Sequence, residues 1–173
     1  MFIILKKIGS YGPLILLLFS IFLLRNKSNL LFYYILFFGI SVILNVVLKG
    51  LIQESRPCID RETFQLMMKN KERYIKKNGV PYDIFGMPSG HTQSVMFSTI
   101  FIFLSLKKTN ILIFYLIISL ITMWQRVNYN FHTIIQVIVG FIVGTVFAYF
   151  MFYMGKKNKT GIIREKRDDN AIL

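Results

Sequence analysis

Long apolar stretches separated by short polar gaps decide what this sequence can fold into. A helix rises about 1.5 Å per residue, so crossing a hydrocarbon core about 30 Å thick takes about 20 mostly apolar residues. The stretches that approach this length are Ile8–Leu24, Leu30–Leu48, residues 91–106, Ile111–Val127 and His132–Met154. We therefore predict an all-α integral membrane protein, a multi-pass bundle of about five transmembrane helices whose first helix stays uncleaved.

The polar parts of the chain fall into one long insert and a tail. Residues 1–155 are expected to form the transmembrane domain, with a loop insert at residues 58–86, and residues 156–173 a basic C-terminal tail. Within the insert, the helix-forming residues of Glu62–Lys77 favour one short surface helix. We expect its carboxylates, Asp83 among them, to be solvated surface groups.

The net charge of +13 does not indicate nucleic-acid binding, because the basic residues sit between apolar stretches and in the tail. That placement is typical of membrane topology. The lone cysteine, Cys58, excludes an internal disulfide within these 173 residues and cannot build a thiolate metal site by itself. The expected partners are the membrane and a membrane-borne substrate, with no nucleic acid.

If the helices alternate across the bilayer, four polar helix ends fall on the same face. They carry Lys49 with Arg56, Ser89-Gly90-His91, Arg126 and His132. Arginine forks match phosphate oxygens, lysine adds a point charge, and a helix N-terminus offers unpaired N–H groups. Taken singly, the basic residues could simply flank spans and snorkel to the headgroups, whereas their coincidence with both histidines indicates a phosphate site.

These residues, in this order, resemble the three motifs of the type 2 phosphatidic acid phosphatase (PAP2) superfamily over residues 44–140. The first motif is carried by Lys49 and Arg56-Pro57, the second by Pro88-Ser89-Gly90-His91, and the third by Arg126 and His132. The resemblance implies a PAP2/haloperoxidase-like helical core and a hydrolase that needs neither metal nor cofactor.

The resemblance also implies a role for each motif residue. His132 would attack phosphorus and form a phosphohistidine, while His91 would protonate the leaving oxygen and then activate water. The non-bridging oxygens would be held by a set of phosphate-binding groups. That set comprises Lys49, Arg56, Ser89, Gly90 and Arg126.

Two positions depart from the superfamily pattern. Gln125 stands where a serine usually precedes the arginine, and Gln136 stands where an aspartate usually follows the nucleophile. A glutamine carbonyl can accept the same ring N–H bond but brings no charge. The dolichyl-diphosphatase branch resembles this chain in carrying that glutamine, in Gln53-Glu54-Ser55-Arg56-Pro57-Cys58 and in Gly86-Met87-Pro88-Ser89. We assign Gln136 a catalytic role, with an interhelical hydrogen bond as its alternative.

The preferred function is hydrolysis of a polyprenyl diphosphate of the dolichyl type to its monophosphate. The alternatives are a phosphatase of phosphatidic acid or another glycerolipid phosphate, and a catalytically silent phospholipid-binding protein. Lys and Arg are almost evenly divided between the two faces, so charge alone does not orient the chain. The resemblance implies a lumenal or extracytoplasmic active site, in the endoplasmic reticulum or an equivalent membrane.

Overall fold

A computed structural model describes residues 2–77 and 80–160. Its helices and strands follow in chain order, and their bounds are α1 Phe2–Leu24, α2 Ser28–Ile52, α3 Arg61–Lys69, β1 Tyr74–Lys77, β2 Val80–Asp83, α4 Gly90–Leu106, α5 Thr109–Asn128 and α6 Ile134–Thr160. The predicted all-α membrane bundle is confirmed. Among the described residues, α1, α2, α5 and α6 are long and apolar enough to cross a membrane, and α4, at 17 residues, is slightly shorter.

Helix α4 occupies the centre of the bundle, packed against α1, α2, α5 and α6. Its buried residues include both large apolar groups, such as Phe97 and Phe101, and small polar ones. The polar ones bond across helices: the Ser98 hydroxyl lies 2.8 Å from that of Tyr34 on α2, and the Thr99 hydroxyl 2.9 Å from that of Ser119 on α5. Such bonds fix helices against one another where apolar packing alone has little directional preference.

Close backbone packing joins α4 to α6 through two glycines. A Cβ at Gly140 would lie 2.6 Å from the Ser89 carbonyl oxygen, and one at Gly144 would meet the Gln93 carbonyl oxygen. Only the absence of a side chain lets the two backbones approach this closely. The outer face of the bundle, in contrast, exposes large apolar side chains such as Ile43, Ile117 and Val146, as expected of a surface that faces lipid.

The polar insert differs from the helix predicted over Glu62–Lys77. Helix α3 begins at the Asp60 cap, whose carboxylate accepts the Thr63 N–H at 2.8 Å, but it ends at Lys69. Lys71 follows with a φ of 58°, which turns the chain out of the helix. β1 and β2 then pair antiparallel, with Tyr74 opposite Asp83, because aromatic and β-branched residues favour strands over helix here.

Candidate active site

The four polar helix ends meet at one end of the bundle, as the alternation of helices predicts. The Ser89 N–H at the start of α4 donates to the Gln136 carbonyl of α6 at 3.0 Å. Arg56, just beyond α2, reaches the ring of His132, just before α6. The His132 backbone N–H donates to the Arg126 carbonyl of α5 at 3.1 Å. The structure therefore brings all three motifs into one site.

His132 is almost fully buried, and both of its ring nitrogens are engaged. Nδ1 lies 3.1 Å from Oε1 of Gln136, and Nε2 lies 3.0 Å from Nη1 of Arg56. A carbonyl oxygen only accepts and a guanidinium only donates, so the proton sits on Nδ1 and the lone pair on Nε2. The nitrogen that carries the lone pair thus points toward the cationic side of the site.

Burial and the nearby positive charges both favour the neutral form of that imidazole. Burial lowers the pKa of His132 far below its ordinary value, and the positive charges of Arg56 and Lys49 lower it further. A neutral ring is the nucleophilic form. The same cations that would hold phosphate therefore also keep the histidine competent to attack it.

Arg56 is locked in place by its own neighbours. Its Nε donates to the Asp83 carbonyl at 2.7 Å, Nη1 reaches the Phe131 carbonyl at 3.3 Å, and the guanidinium stacks 4.6 Å from the centroid of the Tyr82 ring. These contacts come from the insert hairpin and from the α5–α6 turn. A pre-positioned guanidinium can bind phosphate without first losing side-chain freedom.

The expectation that Asp83 is a solvated surface group was wrong. Its carboxylate forms ion pairs with Lys49 at 3.4 Å and with Arg73 at 3.1 Å, and its side chain is only 15% exposed. Burial would raise the pKa of Asp83, but the Arg73 hydrogen bond and the charge of Lys49 lower it overall. The hairpin thus places a fixed anion beside the buried ammonium of Lys49.

The second motif forms the start of α4. Ser89 is fully buried and caps the helix by position, and its hydroxyl accepts from the Thr92 hydroxyl at 3.1 Å. Gly90 is packed so closely that a Cβ would lie 2.9 Å from Oδ1 of Asn45. The ring of His91 does not bond to another motif residue in the described part of the chain; its Nε2 lies 3.2 Å from the Ser10 carbonyl of α1.

Gln125 positions a neighbouring side chain, a role that its departure from the superfamily pattern does not reveal. Its Oε1 accepts from Nε of Arg126 at 2.6 Å, and its Nε2 donates to the Ser10 hydroxyl at 3.1 Å. The Arg126 guanidinium also stacks 4.7 Å from the Phe131 ring centroid. Gln125 therefore orients the third-motif arginine and ties it to α1.

An apolar cavity of about 380 Å³ opens next to the site between α1, α2 and α4. Its polar lining includes His91 and Ser10, and its apolar lining includes Leu14, Phe38 and Val42. The cavity therefore joins the polar helix ends to the lipid-facing part of the bundle. Such a shape suits a molecule with a polar head and an apolar tail.

These contacts gather the three motifs around a buried histidine at one end of an α-helical bundle whose helices are apolar enough to cross a membrane. The family model of the PAP2 superfamily matches residues 30–160. The chain belongs to the PAP2 superfamily, a lipid phosphatase family, as the three motifs predicted.

Two known proteins are similar to the chain in different ways. The Arabidopsis thaliana protein named lipid phosphate phosphatase epsilon 2, chloroplastic, is 38% identical over 71 residues, covering 36% of this chain and 25% of that protein. The crystal structure of the transmembrane PAP2-type phosphatidylglycerolphosphate phosphatase from Bacillus subtilis superimposes with a TM-score of 0.59 and 22% identity, over 94% of this chain and 78% of that one. The first match spans a quarter of its relative, and the second shows the shared fold. Neither protein is named as a dolichyl-diphosphatase, so that branch stays a prediction.

Proposed function

We propose that the chain hydrolyses a polyprenyl diphosphate of the dolichyl type to its monophosphate through a phosphohistidine on His132. The observation that carries this proposal is the pair of contacts made by the His132 ring: Nδ1 lies 3.1 Å from Oε1 of Gln136 and Nε2 lies 3.0 Å from Nη1 of Arg56, which assigns the proton to Nδ1 and leaves Nε2 as the nucleophile. A phosphoryl group bound to that guanidinium would lie in front of the nucleophilic nitrogen.

The reaction has two steps. In the first, Nε2 of His132 bonds to the terminal phosphorus while the bridging P–O bond breaks, and His91 gives a proton to the departing lipid monophosphate. In the second, His91 takes a proton from water, whose oxygen bonds to phosphorus as the P–N bond breaks and inorganic phosphate leaves. Lys49, Arg56 and Arg126 stabilise the charge on the non-bridging oxygens in both steps.

The apolar cavity beside His91 supports a lipid as the substrate. Val42, on its wall, is half exposed and makes room for a hydrocarbon chain. We expect Val42→Trp to raise the KM for a long-chain lipid phosphate several-fold while leaving the KM for a short-chain, water-soluble analogue within about twofold. Equal changes for both substrates would argue against a tail in this cavity.

A second candidate substrate is a glycerolipid phosphate such as phosphatidic acid. It is favoured by the names of the two similar proteins, which refer to a lipid phosphate phosphatase and a phosphatidylglycerolphosphate phosphatase. The ordered nucleophile argues against a silent phospholipid-binding protein, because binding alone has no need for an oriented imidazole.

The decisive experiment measures phosphate release by the purified protein in detergent. Dolichyl diphosphate, undecaprenyl diphosphate and phosphatidic acid are compared side by side, with His132→Ala as the control. Preference for a polyprenyl diphosphate, lost in His132→Ala, supports the proposal, whereas preference for phosphatidic acid selects the second candidate. No release from any substrate by folded protein overturns both.

Two further readouts address the chemistry. Brief reaction with substrate labelled at the terminal phosphate should leave acid-labile label on the wild-type protein and none on His132→Ala. Activity should persist in excess chelator, because the proposed mechanism assigns no step to a metal. Loss of activity in chelator that a divalent metal restores would contradict the phosphohistidine mechanism as written.

A further inference from the structure

The side-chain amide of Gln136 forms hydrogen bonds through both its oxygen and its nitrogen. Oε1 accepts from Nδ1–H of His132 at 3.1 Å and from the Thr133 N–H at 3.2 Å. Nε2 donates to the Glu54 carboxylate at 2.7 Å and to the Ser55 carbonyl at 2.8 Å. Reversing the amide would set donor against donor on one side and acceptor against acceptor on the other, so its orientation is fixed.

We propose that Glu54 is a positioning residue for the nucleophile, acting on His132 through the amide of Gln136. The superfamily pattern places a carboxylate directly against the ring, whereas here the amide separates the two. The inference rests on the proposed role of His132. It gives a function to Glu54, which lies outside the proposed phosphate-binding residues.

Electrostatics explains how a carboxylate at this distance contributes. When Nε2 bonds to phosphorus, the imidazole becomes positively charged. The hydrogen bond that its Nδ1–H donates to Gln136 therefore becomes stronger. Linked hydrogen bonds polarise one another, so the Glu54 charge increases the electron density on the Gln136 oxygen that accepts that bond. The charge also attracts the cationic ring directly, more weakly than an adjacent aspartate would because Coulomb energy falls with distance.

The surrounding structure holds this arrangement in place. The Gly86 N–H donates to the Glu54 carbonyl at 2.7 Å, which anchors the Glu54 backbone. A Cβ at Gly86 would lie 2.5 Å from Oε1 of Gln136 and 2.6 Å from its Nε2, so the amide rests against a bare Cα. Within residues 2–77 and 80–160 the side-chain ion pairs belong to Asp83 rather than Glu54. The Glu54 carboxylate is therefore available to the amide.

The main test replaces Glu54 with its neutral isostere. Glu54→Gln should lower kcat about 10-fold, the low end of what outer hydrogen-bonding partners contribute, with KM changed less than about twofold because Glu54 does not touch the phosphate. The matched control is Glu62→Gln, an exposed carboxylate in the first turn of α3. Equal kcat values for the two variants would overturn the proposal.

A charge swap separates this role from a merely structural one. Gln136→Glu alone would set two carboxylates at the present 2.7 Å hydrogen-bond distance, and we expect it to be strongly impaired. Adding Glu54→Gln restores a donor and acceptor pair and places the charge beside the ring. The double variant should recover kcat several-fold above Gln136→Glu, short of wild type because the Ser55 carbonyl loses its donor. No recovery would contradict the coupling of the two residues.

Gly86→Ala provides a variant that leaves every charge intact. The added methyl displaces the Gln136 amide, so kcat should fall about 10-fold or more. The control is Gly50→Ala on α2, whose Cβ would meet Arg73 at an ordinary 3.6 Å, and it should retain activity. Unchanged kcat in Gly86→Ala would also overturn the proposal. If wild type and His132→Ala release equal phosphate, the proposed function has failed rather than this inference.

Discussion

The two glutamines that depart from the superfamily pattern have different tasks. Gln125 accepts from Arg126, so its carbonyl orients a proposed phosphate-binding group. Gln136 accepts from His132 and donates to Glu54, so its amide connects the proposed nucleophile to a carboxylate. In both places a neutral side chain is hydrogen-bonded through its oxygen and through its nitrogen, close to several cationic groups. The partners of the Gln136 side chain lie in the segment after α2 and in the turn before α6, so the described contacts differ from the interhelical hydrogen bond given as the alternative.

Asp83 is the residue whose removal should most clearly affect stability. Asp83→Asn leaves the buried ammonium of Lys49 without its counter-ion, which should destabilise the protein by about 2 kcal/mol at pH 7. Detergent-solubilised protein unfolded by heat would show this as a lowered Tm. Glu72→Gln, an exposed carboxylate of the same insert, is the control and should leave the Tm unchanged.

The pH dependence of that difference has a definite sign. Because the folded-state pKa of Asp83 is lowered, its stabilisation is present above the pKa of the unfolded chain and is lost as pH falls through the lower folded value. The Tm gap between wild type and Asp83→Asn should therefore be constant near neutrality and close in strong acid. A gap that widened on acidification would show that the carboxylate does not act through these ion pairs.

The helices could be predicted far better than the insert. The lengths of the apolar stretches and the polar gaps between them placed α2, α4 and α5 to within a few residues, because a segment that crosses lipid must be a continuous helix. Helix α1 begins earlier than predicted, since Lys6 lies inside it and reaches the Tyr129 ring at 5.0 Å. The β1–β2 hairpin was not predicted because its strands are short. The local residues favour a helix, and the strand pairing is stabilised by contacts with the rest of the protein that the local sequence does not show.

The sequence predicts that the motif residues lie together, but it does not predict the hydrogen bonds that surround them. The motif positions identified His132, Arg56 and the helix ends, but no local pattern reveals that Glu54 meets a side chain 82 positions away. Asp83 was likewise judged by its polar surroundings in sequence. Both carboxylates take their role from contacts between the insert and the bundle, which spacing alone does not encode.

At the scale of elements, the α4–α6 contact should be the most sensitive to added volume. A Cβ at Gly144 would overlap the Gln93 backbone, which cannot rotate away as a side chain could. Gly144→Ala should therefore lower stability by about 1–3 kcal/mol, measured as a fall in Tm. Gly39→Ala, on α2 with open space around it, is the matched control and should be neutral or slightly stabilising.

At the scale of the whole molecule, the side of the membrane that carries the site can be determined with a native probe. Cys58, the single cysteine of the sequence, is exposed and lies two residues beyond Arg56. If the site is extracytoplasmic or lumenal, a membrane-impermeant maleimide should label it in intact cells, or in sealed microsomes only after permeabilisation. Labelling occurs at the thiolate, so the Cys58→Ser variant gives the background.

The control places the single cysteine at the opposite end of the bundle in the same protein. Asn26, exposed in the turn between α1 and α2, lies at the opposite end of the helices from Lys49. The double variant Asn26→Cys with Cys58→Ser should therefore show the opposite labelling. Its cysteine should be protected in each preparation in which Cys58 of the wild type is labelled. Protection of Cys58 in intact cells with labelling of the Asn26→Cys variant would place the phosphate site on the cytoplasmic face. The lipid phosphate would then have to reach the enzyme from the inner leaflet rather than the outer one.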